Sequence, residues 1–325
     1  MKSVAIAAVA AALSVSPVSA STLDTYFSSF FVIGDSLSDP GNFGPLGPPP
    51  PYAGNRFSNG PVWAEVLASE FDPSATQNYA FGGAETTDAN PTPDAPEQVQ
   101  FFLGDLAGLD GGVFPGTPVT GDTPLVAIWL GANDLFSTLD TLASVDPTDT
   151  DAQAAAALAA ALEVTEAAKA VANIVGSLLQ LPPFDNFVVL NMPNLGGIPA
   201  YNTTPLAPTA TQLSQLFNLE LALALGQLDN GSNDIEVVDV FALLSGISSI
   251  LPNLTNVDEA CFLQSAGTLC SNPEEYAFFD LVHPTTVVHA ELAEQVRAAV
   301  VPLPATLPLA MAGLGALGLV RRRFA

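Results

Sequence analysis

The chain has 325 residues, 49% of them hydrophobic, and its 33 acidic side chains outnumber 7 basic ones for a formal net charge of −26. Nucleic acid and other polyanions are held by clusters of Lys and Arg. Lys2 and Arg321 to Arg323 lie at the two ends, so the body has only Arg56, Lys169 and Arg297 as fixed cations, which excludes a polyanion-binding role and favours high solubility and uncharged substrates.

The first twenty residues place Lys2 ahead of an apolar run over 4–13 and close on Val18-Ser19-Ala20, the order of a secretory signal peptide. Ten or so apolar residues are too few to span a bilayer. A strand is predicted over 28–33, running into Gly34-Asp35-Ser36-Leu37-Ser38. Residues 40–60 are rich in Pro and Gly and read as a loop over the strand ends, where α/β folds build their sites. A short helix is expected over 61–70, with Asn59 as its cap and Pro61 in the tolerant first turn. After Asn78-Tyr79-Ala80-Phe81-Gly82-Gly83-Ala84 comes a second Pro- and Gly-rich loop, 90–123. The next strand, 125–130, ends in Gly131-Ala132-Asn133-Asp134. Then follow an Ala-rich helix over 152–179, a strand over 187–190, a helix over 211–228 and a strand over 235–238. A loop holding Cys261 and Cys270 leads to Phe279-Asp280-Leu281-Val282-His283-Pro284-Thr285 and a last helix over 284–299. Alternating strands and helices of this kind predict a parallel sheet with crossover helices. The absence of a 20- to 50-residue repeat argues against solenoids and propellers. The predicted layout is a signal peptide (1–20), one domain (21–300) and a C-terminal segment (301–325).

That segment reads VPLPATLPLAMAGLGALGLV from Val301 to Val320 and then three arginines, an apolar stretch of membrane-spanning length with a basic tail that stays cytoplasmic. Topology alone does not separate a retained anchor from a segment that is cut away. Either way the body faces outward, and there a disulfide between Cys261 and Cys270 is chemically permitted. No local signature supports either cysteine as a nucleophile.

Chemistry concentrates in a few places. A serine at the carboxyl end of a buried strand projects its hydroxyl into the crevice and offers its own N–H to a developing oxyanion, which suits Ser36 as a nucleophile. A lone Gly-Asp-Ser is as readily a plain turn. The pattern is not Gly-x-Ser-x-Gly, since Ser38 takes the last position, and this disfavours the α/β-hydrolase elbow. A serine needs a base, and the chain has two histidines. His283 has a carboxylate, Asp280, three residues earlier to fix its tautomer. His289 falls within the last helix and reads as an ordinary packed side chain. The Gly82-Gly83 segment and Asn133 offer further oxyanion donors, although each alone has a plain reading as a turn and as a helix cap.

Together these segments resemble, in order, the four blocks of the SGNH/GDSL hydrolases: 34–38, Gly82-Gly83, 131–134, and Asp280 to His283 followed by Pro284-Thr285. Similarity extends through 55–60 and 273–279, as in lipase-like members, and covers roughly 28–300. The resemblance implies a flavodoxin-like three-layer α/β/α fold with a mainly parallel sheet. It implies hydrolysis of carboxylic esters through an acyl-enzyme, with no metal and no cofactor. Carried over by position, Ser36 is nucleophile and first oxyanion donor, Gly83 the second, Asn133 the third, His283 the base and Asp280 its partner. Counting from Asn78 favours Gly83 over Gly82. The C-terminal segment resembles a sorting signal of the PEP-CTERM kind in its VPLPA variant, carried by Val301-Pro302-Leu303-Pro304-Ala305. That implies export machinery and an exosortase-like membrane protease as partners, and delivery to the cell surface or beyond. The substrate is then a small-molecule, lipid or glycan ester. A deacetylase of O-acetylated exopolysaccharide and a non-catalytic surface adhesin are the competing readings. Acyl length is left to loops 40–60 and 90–123. The shortage of cations weakens phospholipid cleavage.

Overall fold

β-branched and aromatic residues pack well on a pleated, buried surface, and they fill the inner strands of a five-stranded central sheet. In a computed structural model describing residues 22–87, 89–108 and 120–301, the five strands are β1 (Ser29–Gly34), β2 (Thr76–Asn78), β3 (Pro124–Trp129), β4 (Asn186–Leu190) and β5 (Asp234–Val238). Their order is β2-β1-β3-β4-β5, and every pairing is parallel. The order reverses between β1 and β3, and crevices in doubly wound sheets open at the carboxyl ends of strands at such a switch point. Every residue of β1 and β3 is buried, so the sheet is covered on both faces.

The covering helices are α1 (Trp63–Ala68), α2 (Ala95–Leu106), α3 (Ala132–Ser144), α4 (Thr150–Leu178), α5 (Ala207–Gly226), α6 (Val240–Ser245), α7 (Ile247–Ile250) and α8 (Thr286–Val300). α3, α4 and α5 pack side by side, while α1 packs on α8, which also meets β4 and β5. The result is the three-layer α/β/α architecture expected from the sequence. Phe31, Phe102 and Phe184 form one aromatic knot, with centroids 5.0 Å apart for the first pair and 5.2 Å for the second. Each such side chain contributes roughly 1.5–3 kcal/mol on burial. Two small sheets stand beside the main one: β6 (Asn256–Ala260) pairs in parallel with β9 (Tyr276–Phe278), and β7 (Phe262–Leu263) pairs antiparallel with β8 (Thr268–Leu269). A disulfide joins Cys261 to Cys270 beside the β7–β8 hairpin.

Three local expectations are corrected. The stretch read as one loop over 90–123 contains α2, whose Pro lies in the first turn, where it is tolerated, and whose Gln98, Phe102 and Asp105 are buried; the surrounding Pro and Gly masked its helical spacing. α1 is shorter than predicted, and Asn59 does not cap it. The Val62 N–H is instead taken by the Glu65 side chain at 3.0 Å, and the Asn59 side chain accepts the N–H of Thr286, the first residue of α8, at 2.9 Å. Finally, Pro284 lies before α8, in a bridge with Phe278. The predicted signal peptide and the VPLPA segment beyond Val301 lie outside the described residues. Among the described residues, no helix is long and apolar enough to cross a membrane.

Candidate active site

Ser36 follows β1 in a tight turn, in which Ser38 N–H and Asp39 N–H both donate to the Asp35 carbonyl at 3.0 Å. The strand end is clamped by Gln98 of α2, whose amide accepts from Gly34 N–H at 2.9 Å and donates to Gly34 C=O at 2.8 Å. A Cβ at position 34 would sit 2.9 Å from Ser38. The backbone leading into Ser36 is thus clamped at Gly34.

The Ser36 hydroxyl lies 2.8 Å from His283 Nε2, and His283 Nδ1 lies 2.8 Å from Asp280 Oδ2 and 3.0 Å from Oδ1. Asp280 is further saturated. Its Oδ1 accepts the N–H groups of Val282 and His283 at 2.8 and 2.7 Å, and its Oδ2 accepts the Tyr52 hydroxyl at 2.6 Å. Burial alone would raise this carboxyl, but the His283 charge and these hydrogen bonds outweigh it and hold Asp280 down to about 2. It therefore stays ionised. A carboxylate bonded to Nδ1 places that nitrogen's proton toward Asp280 and leaves Nε2 as an acceptor for the serine proton.

The turn carrying His283 is stitched to distant chain. Phe279 N–H donates to the His283 carbonyl at 2.7 Å, Ser58 Oγ to the Pro284 carbonyl at 2.9 Å, and Ala200 N–H to the Leu281 carbonyl at 2.9 Å. The Phe57 ring lies 5.2 Å from the imidazole. It can do so because position 82 is glycine: a Cβ there would fall 2.2 Å from the Phe57 ring.

The second and third blocks reach the same region. Asp39 takes Gly41 N–H, Asn42 N–H and Gly82 N–H at 2.8, 2.7 and 2.9 Å, so the Gly82 amide is already committed. Gly83 has φ +85°, a conformation that favours glycine, and among the described residues no acceptor uses its N–H. Asn133, in the first turn of α3, donates one amide hydrogen to the Ala84 carbonyl at 2.8 Å and retains the other. Gly131 before it has φ +111°, and a Cβ there would lie 2.6 Å from Phe217. The structure thus brings Ser36, His283 and Asp280 into direct contact, and ties Gly83 to Asn133 through their common neighbour Ala84.

Two further buried titratable groups stand apart from this line, and His289 is packed as its sequence reading predicts. His289 of α8 is buried, and burial pushes it down to about 3, so it remains neutral. Asp35 is buried beside Ser36, and burial pushes it up to about 7 although the Leu37 N–H pulls the other way. All three cations of the body are paired: Arg56 with Glu65, Lys169 with Glu166 and Arg297 with Glu70. Among the described residues, no group of three or more His, Cys, Asp or Glu could hold a metal. Sequence reasoning missed Tyr52, Gln98 and Asp39. Only Asp39 has a local signal, an Asp before Pro-Gly at a turn; the partners of Tyr52 and Gln98 lie 228 and 64 residues away.

Two hollows flank the Ser36–His283 pair. On the serine side is an almost wholly apolar slot beside Trp129, Phe136, Leu195, Ile198, Leu244 and Phe278, with only about 20 Å³ open. On the histidine side is an open groove of about 630 Å³ that reaches Tyr52, Phe57, Phe262 and Leu281.

A GDSL-like lipase/acylhydrolase family model matches residues 30–296. A phosphatidylcholine-sterol acyltransferase of Aeromonas hydrophila is 30% identical over 330 residues, covering 82% of this chain and 88% of its own. An acetylesterase of Thermothelomyces thermophilus is 31% identical over 145 residues, 40% of this chain and 47% of its own length. Among solved structures, a phospholipase A1 from Streptomyces albidoflavus aligns with a TM-score of 0.47 at 15% identity, covering 84% of this chain and 99% of its own. An acetylxylan esterase from Geobacillus stearothermophilus aligns with a TM-score of 0.42 at 14% identity, covering 84% and 94%.

Proposed function

This chain belongs to the GDSL-like lipase/acylhydrolase family and is an ester hydrolase; from that premise we propose that it cleaves short-chain acyl esters through Ser36, His283 and Asp280. The observation that carries the reading is the unbroken line of hydrogen bonds from Ser36 Oγ through both imidazole nitrogens to Asp280. His283 takes the serine proton as Oγ attacks the ester carbonyl, then returns it to the departing alkoxide. Water, activated by the same nitrogen, next splits the acyl-enzyme to release the acid. Asp280 stabilises the imidazolium formed in both steps. The oxyanion donors are the Ser36 N–H, the Gly83 N–H and the Asn133 side chain. The choice of Gly83 is supported by the commitment of the Gly82 amide to Asp39.

The acyl group lies in the serine-side slot. Its open space is about that of one water, which suits an acetyl-sized group. Ile198, Leu244 and Phe278 close it and also line a second hollow of about 300 Å³ behind them, so the length limit is a wall of three side chains. The enzyme is exported: residues 1–20 are a signal peptide, 21–300 the hydrolase domain and 301–325 a VPLPA sorting signal handled by an exosortase-like protease. The Cys261–Cys270 bond supports an oxidising compartment.

The test is a para-nitrophenyl ester series, acetate through palmitate, on wild type and Ser36→Ala. The expected result is an optimum at acetate to butyrate, and a loss in the variant of about 10⁴-fold or more. Equal rates for the two proteins would sink the serine mechanism, and a palmitate optimum would sink the short-acyl assignment.

A further inference from the structure

The groove on the far side of His283 has no role in the acyl half of the reaction. Its position assigns it one. The proton that His283 Nε2 returns goes to the alcohol oxygen, so the alcohol portion of the ester must extend past the imidazole while the acyl portion sits against Ser36. This groove borders His283 without bordering Ser36, and the slot borders Ser36 without bordering His283.

Its lining states what it can hold. Pro48, Tyr52, Phe57, Phe262, Leu263 and Leu281 give it apolar and aromatic walls, with Gln264 and Ser265 as the side chains that can hydrogen-bond a guest. Asp280 also borders it but is spent: its two oxygens already accept from His283, Val282 and Tyr52. Among the described residues no cation lines it, and Arg56, in the same 48–57 loop, is paired with Glu65 at 2.6 Å. A phosphate or carboxylate on the alcohol would meet no counter-charge, and a glycan would find few partners for its hydroxyls.

The walls are held in place. Tyr52 and Phe279 meet edge to face at 5.2 Å, Tyr52 and Phe262 at 5.6 Å, and Phe262 stacks on Phe279 at 5.9 Å. The Cys261–Cys270 bond ties the hairpin that carries Phe262 and Leu263. Leu263 and Leu281 nonetheless remain 41% and 47% exposed, so apolar surface at the rim waits for a guest. A hollow of about 630 Å³ is in the range of sites that enclose a multi-ring molecule.

We propose that this groove is the alcohol subsite and that it selects esters of bulky, uncharged, aromatic or alicyclic alcohols. The inference rests on the serine-hydrolase reading above.

The test compares two acetates with alkyl leaving groups of similar basicity, ethyl acetate and 2-(2-naphthyl)ethyl acetate, on the full-length protein. The expected kcat/KM ratio favours the naphthyl ester by at least about tenfold, mostly through KM, because burying one ring system recovers a few kcal/mol. Leu263→Ser and Phe262→Ala should each pull that ratio toward one. In addition, 2-(2-naphthyl)ethanol should inhibit wild type competitively where xylobiose at the same concentration does not. A ratio near one in wild type, or stronger inhibition by xylobiose, would overturn the assignment. Ser36→Ala separates the two ideas: it should lose hydrolysis yet still bind the naphthyl alcohol, as read from naphthyl fluorescence. Retained hydrolysis there would defeat the serine mechanism, whereas lost binding would defeat the groove.

Discussion

The two walls of the Ser36–His283 pair are made differently. The serine wall is the end of β1, flanked by β2 and β3 along a continuous ladder of backbone pairings. The histidine wall is assembled from the 48–57 loop, the disulfide hairpin and the 279–284 turn, with no strand in it longer than three residues. Side-chain bonds hold it, such as Tyr52 to Asp280, Ser58 to Pro284 and Asn59 to Thr286, each spanning more than 220 residues of sequence. A wall made of backbone ladder is redundant, and loss of one side chain leaves it standing. A wall that leans on long-range side-chain bonds beside scattered backbone bonds has a failure point at each of them, and the groove proposed as the alcohol subsite is built on that wall.

The strongest way to break this contrast is Asp280→Asn. The variant should lose about 10⁴-fold in kcat, because the imidazole loses both its tautomer lock and its counter-charge; a loss under tenfold would show that the loop wall positions His283 without the carboxylate. The same variant carries a stability signature. Asp280 is held at about 2, below its ordinary value of 3.8. Its contribution is therefore present above about pH 4 and fades as pH falls toward 2. Wild type should lose melting temperature over that window faster than Asp280→Asn does.

Tyr52→Phe should cost about tenfold in kcat at nearly constant KM, since one hydrogen bond to a charged group is worth roughly 1.5–3 kcal/mol. A loss under twofold would reduce Tyr52 to packing.

On the serine wall, Leu244→Ala should leave Ser36 in place but join the slot to the hollow behind it, raising kcat/KM for octanoate esters by about tenfold relative to acetate. An unchanged length profile would show that Leu244 is not the partition.

The smallest effect is on stability. Asp35 is raised to about 7 from 3.8, so the folded protein binds its proton more tightly, and this group makes stability fall as pH rises from 4 to 7. Asp35→Asn should flatten that slope by a few degrees of melting temperature. An identical slope would show that the carboxyl beside Ser36 is not the group that titrates.

The chain by itself determined the elements whose physics is local. β1, β3 and β4 announce themselves as short apolar runs because both of their faces are buried, β5 shows only as a β-branched run at the sheet edge, largely unburied, and α4 and α5 are long enough for their composition to speak. Ser36, Asp280 and His283 could be singled out because a strand end, a scarce base and a carboxylate three residues before it are all visible in sequence. The tertiary structure alone decided the rest. α2 was hidden because Pro and Gly on either side dominate its local pattern, and only burial of Gln98 and Phe102 gives the segment its reason to be helical. Asn59 capped a different helix from the one beside it, because a capping side chain serves whichever orphaned N–H the fold brings near. Tyr52 and the histidine-side groove depend on a loop tied by contacts more than 200 residues away in sequence. No local pattern records the distance between residues that meet only after the chain has folded.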